Sequence, residues 1–408
     1  MASRQDGVTQ LYDLPQGGEP ERLPQPEKTK DKDKVLLDER GLLDLPFLAL
    51  TVLLVLIGVI MVFSASYARA YYLTGNSTYY FARQAIFAVA GIAGMLFVSR
   101  LNYQLWRSAS FIILLVSVFF LMLVPIIGST ANGAKRWIPL GPVNLQPMEF
   151  VKISLALYLA YFMSSKQALV KTFSRGVIPP FAVTGLFCGL LLLQPDFGSA
   201  VVVASILFFM CLAGGTRFIY LFFAMILACA GAMALAILEP YRLRRLLAFL
   251  DPFADPTDTG YHLVQSLLAI GSGGLFGVGL GQGTPEKIPA YYNDFIFAVI
   301  CEQLGQVFGV LLLAVYVLLI LRGVTVVARA RRSFEMLLGC GVLAMLGIQT
   351  FMIVAGVIKM IPLTGVTMPF LSYGGSSLLS CMAMIGILHG ASARAQENLE
   401  EDILCVKG

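Results

Sequence analysis

The chain has 408 residues, of which 58% are hydrophobic and 13% charged, so it holds more apolar side chain than a soluble core of that size could hide. Its net charge of +5 falls in short Lys/Arg clusters between apolar runs, the pattern of membrane topology rather than of nucleic-acid binding. The seven cysteines show no CxxC or paired spacing, and His262 and His389 lie far apart, which argues against a disulfide or zinc framework.

Residues 1–45 are rich in Pro, Lys, Asp, Glu and Gln and cannot bury enough apolar surface to fold alone, so they read as a disordered cytoplasmic tail. The first apolar run begins near Pro46 and has the length of an anchor rather than of a cleaved signal. Ten apolar segments follow, at about 46–65, 81–99, 109–127, 150–163, 177–193, 197–213, 218–238, 296–321, 335–358 and 369–391. The expected fold is an all-α polytopic membrane protein with ten transmembrane helices. The Lys/Arg bias places both termini inside and a large loop, 239–295, outside. A membrane domain at 46–391 and a cytoplasmic C-terminal tail at 392–408 complete the expected organisation.

The outward-facing polar stretches carry the chemistry. In GSTANGAKRWIPLGPVNLQPMEFVK, three glycines and three prolines exclude a plain helix over much of the run, while Lys135, Arg136, Gln146, Glu149 and Lys152 offer charge and donors. Arg136 and Trp137 suit either an anionic head group or simple anchoring at phospholipid level. Glu149 and Lys152 stand at i and i+3 where a membrane segment begins, and charges there are costly unless paired or functional. Asp196, in QPDFGSA, is placed to cap the helix after it. Within the long loop, Arg242, Arg244 and Arg245 could clamp a diphosphate or meet ordinary membrane lipids. The glycine run 271–283 matches neither a Walker loop nor GxGxxG and reads as a flexible or closely packed joint. Asp294 precedes the apolar run starting at Phe295. It suits an N-cap, or a partly desolvated carboxylate that accepts a proton.

Taken together, NGAKRWIPLGPVNLQPMEFVK, QPDFGSA, FLDPFADPTDTGYHLVQSLLAIGSGGLFGVGLGQG, NDFIFAVICEQLG and IPLTGVTMPFLSYGGSSLL resemble the SEDS family, the FtsW/RodA/SpoVE group of cell-wall polymerases, over about residues 46–391. The resemblance implies a ten-helix glycosyltransferase that polymerises lipid II into peptidoglycan at the outer face of the bacterial cytoplasmic membrane. The implied partner is a class B penicillin-binding protein within a divisome or elongasome. By position, the family's essential aspartate falls on Asp294 and its following acidic residue on Glu302. Arg136, Gln146, Glu149 and Lys152 match the earlier loop motif, and Ser376 and Ser377 fall in the late signature with Pro369, Ser372 and Tyr373. Met148, His262 and Tyr292-Asn293 depart from common family patterns, which weakens assignment to division, elongation or sporulation more than it weakens the activity.

On this reading Asp294 is the general base toward the acceptor hydroxyl, while Lys135, Arg136, Arg242 and Arg245 favour the departing diphosphate. No metal motif is visible, and whether Mg2+ or Mn2+ bridges Asp294 or Glu302 to the diphosphate stays open. A lipid II flippase would use the same head-group contacts but should spread polar residues across the bilayer, and a passive scaffold would not need Asp294.

Overall fold

The computed structural model describes residues 44–407 except 132–133, 142, 239, 257–259, 289–290 and 331, so the tail expected over 1–45 lies almost wholly outside the described residues. The chain is helical nearly throughout. In order come α1 (Leu45–Thr74), α2 (Tyr79–Ser99), α3 (Tyr103–Ile127), α4 (Pro147–Ser165), α5 (Ile178–Leu193), α6 (Phe197–Ala213) and α7 (Phe218–Leu238). Two shorter helices, α8 (Pro240–Leu250) and α9 (Tyr261–Gly273), lie in the long loop, and α10 (Ile296–Ala328), α11 (Ser333–Val357) and α12 (Gly375–Lys407) complete the chain.

Among the described residues, six helical stretches are long and apolar enough to cross a membrane, and three shorter apolar helices accompany them. Many large apolar side chains on α1, α2, α3, α7 and α10 face outward, among them Ile86, Phe119, Leu227 and Val310. A soluble protein seldom exposes so much apolar surface, whereas lipid accommodates it. The chain is a multi-pass membrane protein. At its centre stands α11, buried over most of its surface and packed against α4, α6 and α10.

Sequence and structure differ at three places. Residues 129–145 form a three-stranded antiparallel sheet of β1 (Ser129–Ala131), β2 (Ala134–Leu140) and β3 (Val143–Leu145), with Ile138 paired to Leu145 and Ala131 to Ala134. The tenth apolar segment starts as a helix at Gly375 rather than at 369, because Pro369–Gly374 is an irregular turn with Phe370 at φ 65°. At the other end α12 continues to Lys407, where the sequence suggested only a tail; side chains from residue 392 onward lie outside the described residues.

The glycine run turns out to be a tightly packed joint. Helix α10 is broken at Gly305, whose φ of 88° and ψ of 166° take it out of the helical region. The break would strand backbone groups in an apolar interior, which is costly unless they find partners. Residues 274–279 supply them: Val278 and Gly279 donate to the carbonyls of Glu302 and Gln303 at 3.0 Å each, and Gln306 and Val307 donate to Gly274 and Leu275 at 3.0 and 3.2 Å. Ser64 of α1 fastens the assembly, donating to Gln303 Oε1 at 2.5 Å and accepting from the Gly281 amide at 3.0 Å.

At the far end of α1 and α10, Arg322 grips Asp44 with two hydrogen bonds, Nε to Oδ1 at 2.9 Å and Nη2 to Oδ2 at 2.7 Å. Asp44 also caps α1 by accepting from the Phe47 amide at 3.0 Å. Burial alone would raise the Asp44 carboxyl, but the Arg322 guanidinium and the Phe47 amide outweigh it and hold the carboxyl below its ordinary 3.8. A carboxyl lowered on folding stabilises the fold above its unfolded value and ceases to do so as pH falls through its folded value. The unfolding midpoint of the wild-type chain is therefore expected to exceed that of Asp44→Asn at pH 7, with the gap closing below about pH 4. A gap independent of pH would show that the pair contributes nothing through its charge.

Candidate active site

At one end of the bundle, β2, the α5–α6 turn, the 291–295 turn and residues 362–377 meet. Strand alternation sends Lys135 and Arg136 to opposite faces of β2. Lys135 is exposed, with Nζ 3.5 Å from the Pro125 carbonyl. Arg136 turns inward, donating to the Pro195 carbonyl and lying 3.7 Å from Asp196 Oδ1. Asp196 caps α6 as its position suggested, accepting from the Ser199 amide at 3.3 Å and the Ser199 hydroxyl at 2.7 Å.

Asp294 is half-buried and is not the cap of α10. The cap position belongs to Phe295, which makes no side-chain capping bond. Gly365 brings Asp294 and Arg136 to a common point: a methyl group at its α-carbon would lie 3.8 Å from both Arg136 Nη1 and Asp294 Oδ2. A carboxylate and a guanidinium thus flank one small space, kept open by the missing side chain of Gly365.

The late signature holds the Asp294 turn in place. Ser372 donates to the Asn293 carbonyl at 2.7 Å while accepting from the Met368 amide at 2.8 Å. The Tyr373 amide donates to the Tyr292 carbonyl at 2.9 Å. Gln84, fully buried in α2, clasps the same turn through Ser372 O and the Gly374 amide at 3.3 and 3.4 Å. Single-chain reasoning gave no site role to Gln84, although a lone amide in an apolar run is a signal of such a role. His262 of α9 stacks on Phe295 with centroids 6.1 Å apart, beside the same turn.

Behind this turn Glu149 and Lys152 form a buried ion pair at 2.7 Å, each side chain at most 4% exposed. Ser380 of α12 donates to the Glu149 carbonyl at 3.2 Å. Ser377 shares a 2.8 Å hydrogen bond with Thr367. The buried Ser376 hydroxyl and Gln146 Oε1 have no hydrogen-bond partner among the described residues. Removing one member of a buried ion pair leaves the other charge uncompensated, at a cost of about 3–5 kcal/mol. Lys152→Met is therefore expected to lower thermal stability sharply, and the double variant Glu149→Leu/Lys152→Met to recover much of it; equal losses in both would show that the charges are not coupled.

Two groups of sequence candidates lie elsewhere or beyond description. Glu302 is buried in α10, where it accepts from the Thr284 amide at 3.0 Å and would meet a side chain at Gly283 at 2.8 Å. It thus packs on the glycine joint. Arg242 and Arg245 belong to α8, but their side chains lie outside the described residues.

The chain is similar to known proteins along most of its length. Residues 45–397 match the family model described as "Cell cycle protein", which represents FtsW, RodA and SpoVE. A "Probable peptidoglycan glycosyltransferase FtsW" from Geobacter metallireducens is 39% identical over 88% of this chain and 97% of its own length. "Stage V sporulation protein E" of Bacillus subtilis is 36% identical over 86% of this chain and 96% of its own. Among solved structures, a chain from "Structural coordination of polymerization and crosslinking by a peptidoglycan synthase complex" superposes with a TM-score of 0.74 at 26% identity, covering 86% of this chain and 98% of that one. The rod shape determining protein RodA of Thermus thermophilus gives a TM-score of 0.64 at 28% identity, over 86% and 96% of the two chains.

Proposed function

We propose, for a chain that belongs to the FtsW/RodA/SpoVE family, that it is a peptidoglycan glycosyltransferase polymerising lipid II into glycan strands at the outer face of the cytoplasmic membrane. The observation that carries the reading is the approach of Asp294 and Arg136 to one point over Gly365. Joining two sugars with inversion at the donor's anomeric carbon requires a base on the acceptor hydroxyl and positive charge on the departing diphosphate. Asp294 takes the proton from that hydroxyl as its oxygen attacks, and Arg136 stabilises the negative charge that develops on the leaving group. Lys152, Gln146 and Ser376 form a polar floor for the head group, with Ser377 beside them, and Glu149 holds Lys152 through their 2.7 Å ion pair. Arg242 and Arg245 are kept as diphosphate contacts on the amphipathic α8, and Lys135 as an outlying phosphate contact. Glu302 is better read as acting through the glycine joint than on substrate.

Ten helices, α1–α7 and α10–α12, cross the membrane in this proposal, with both termini inside and residues 239–295 outside, as the Lys/Arg bias suggests. The polyprenyl tail lies among the apolar helix faces, and the product passes to a cross-linking class B penicillin-binding protein. Among the described residues no group of three Asp, Glu, His or Cys side chains could hold a metal ion. A cation carried in on the diphosphate would find the Asp294 carboxylate as one ligand. Reconstitution of the purified chain with labelled lipid II tests the function. Glycan chains support it, whereas translocation alone would mean a flippase and neither activity a scaffold.

A further inference from the structure

Asp294 and Arg136 are assigned the proton and the leaving group, and the polar floor the rim of the head group, which leaves the apolar face of the sugar beside Asp294 to be accounted for. Two residues before it, Tyr292 stacks on Tyr80 of α2 with centroids 5.3 Å apart and planes at 28°. Tyr373 meets both edge-on, at 5.3 Å from Tyr80 and 5.8 Å from Tyr292. Arg69, exposed near the end of α1, carries its guanidinium 5.9 Å from the Tyr292 centroid. These four side chains come from four separate stretches of chain. All three rings are half-exposed rather than buried. Aromatic residues that merely mark a membrane interface need only lie at head-group level. Here they converge on one another and on the turn carrying Asp294, held by the same Tyr373–Tyr292 backbone bond that positions that turn.

We propose that Tyr80, Tyr292 and Tyr373, with Arg69 at their edge, form a saccharide platform that holds an N-acetylated pyranose of the glycan beside Asp294. The proposal rests on the glycosyltransferase reading given above. A pyranose has apolar C–H surface and a rim of hydroxyl and acetamido groups. Tyrosine offers the complement, an amphipathic ring with a polar tip, and loses little conformational entropy because it has few rotatable bonds. Rings already locked against one another lose less still, so binding is preorganised. Phenols that ordinarily titrate near 10.0 are already protonated donors at neutral pH, and burial raises the Tyr292 and Tyr373 hydroxyls further. Arg69 adds a planar donor suited to the acetamido oxygen or to the carboxylate of a muramic acid.

Two sources could present this chemistry, the growing strand or the head group of a single lipid-linked disaccharide. Binding to the full chain in nanodiscs, in the Asp294→Asn background so that turnover does not consume the probe, separates them. The probes are a lipid-free N-acetylglucosamine/N-acetylmuramic acid tetrasaccharide and the lipid-linked disaccharide itself. Tyr80→Leu and Arg69→Gln are each expected to weaken binding at least about fivefold, the size of one lost contact, while Tyr80→Phe stays within about twofold. Weakening toward the tetrasaccharide assigns the platform to the strand, and weakening toward the lipid-linked probe alone assigns it to the head group. Equal binding of both probes by parent and variants, or no saccharide binding by the parent, overturns the platform. If saccharide binding depends on Tyr80 but the wild-type chain makes no glycan, the platform stands and the polymerase reading falls.

Discussion

Replacing Asp294 by Asn is expected to abolish polymerisation of lipid II and to leave the chain folded in the membrane. The substitution keeps the side chain's shape but exchanges an anionic acceptor for a neutral amide that both donates and accepts, so it removes the ability to take up a proton together with the negative charge. Positioned base catalysis contributes typically about 10²–10⁴-fold, and a loss of that size takes product below detection in an ordinary gel assay. Collapse of the site is not expected. The turn bearing Asp294 is held by backbone groups, with Ser372 on the Asn293 carbonyl and the Tyr373 amide on the Tyr292 carbonyl, and none of these bonds uses the Asp294 carboxylate. Labelled lipid II, the purified Asn variant and a parallel thermal unfolding curve decide the matter. A wild-type unfolding midpoint with no product supports the base. Near-normal product at any midpoint removes Asp294 from the chemistry.

The mutation also bears on Arg136. The guanidinium shares the space over Gly365 with Asp294 but is separately held by the Pro195 carbonyl and by Asp196. Removing the Asp294 charge therefore leaves Arg136 with its other partners, and substrate binding should survive where turnover does not. Such a split between binding and turnover is the signature of an interaction made mainly in the transition state.

How far the sequence foretold this site depends on how local each signal is. The apolar runs were legible because helix length in hydrocarbon is set by bilayer thickness, a constraint written into consecutive residues. Asp196 as a cap was legible for the same reason, since a cap and its helix are neighbours in sequence. The sheet at 129–145 was not: AKRWIPL contains a proline and lacks clean alternation, and its pairing depends on a partner strand. Lys135 and Arg136 looked like one basic pair until strand geometry turned them apart. Glu302, only eight residues after Asp294, shared its neighbourhood in sequence. Its partner, the Thr284 amide, is brought to it by a backbone path that no local pattern records. The tyrosine cluster is less visible still, because Tyr80, Tyr292 and Tyr373 are each unremarkable in their own segments and acquire meaning only on contact.

The glycine joint carries the second large expected effect. Gly305→Ala should destabilise the chain and depress polymerisation even though residue 305 touches no reacting group. At φ 88° an L-residue is strained, by about 1–3 kcal/mol for the backbone alone. Steric conflict adds to this, since a methyl group at 305 would lie 2.3 Å from the Leu275 carbonyl oxygen and 2.5 Å from the Gly277 amide nitrogen. Neither is the movable end of a side chain, so relief requires residues 275–277 to withdraw. Withdrawal would remove the hydrogen bonds that satisfy the broken helix at Glu302, Gln303, Gln306 and Val307. Asp294 lies just before the start of that helix, so slack at the break would misplace the proposed base, and small misplacements are costly in catalysis. Gly94→Ala in α2 is the control: an added methyl group there meets nothing within 4 Å, and alanine in a helix gains about 0.5–1 kcal/mol over glycine. Thermal midpoints and lipid II turnover for the two variants should move in opposite directions or, for Gly94→Ala, not at all. A Gly305→Ala chain as stable and active as the parent would mean that the glycine run is a slack loop after all, and that the break in α10 does not hold the catalytic turn.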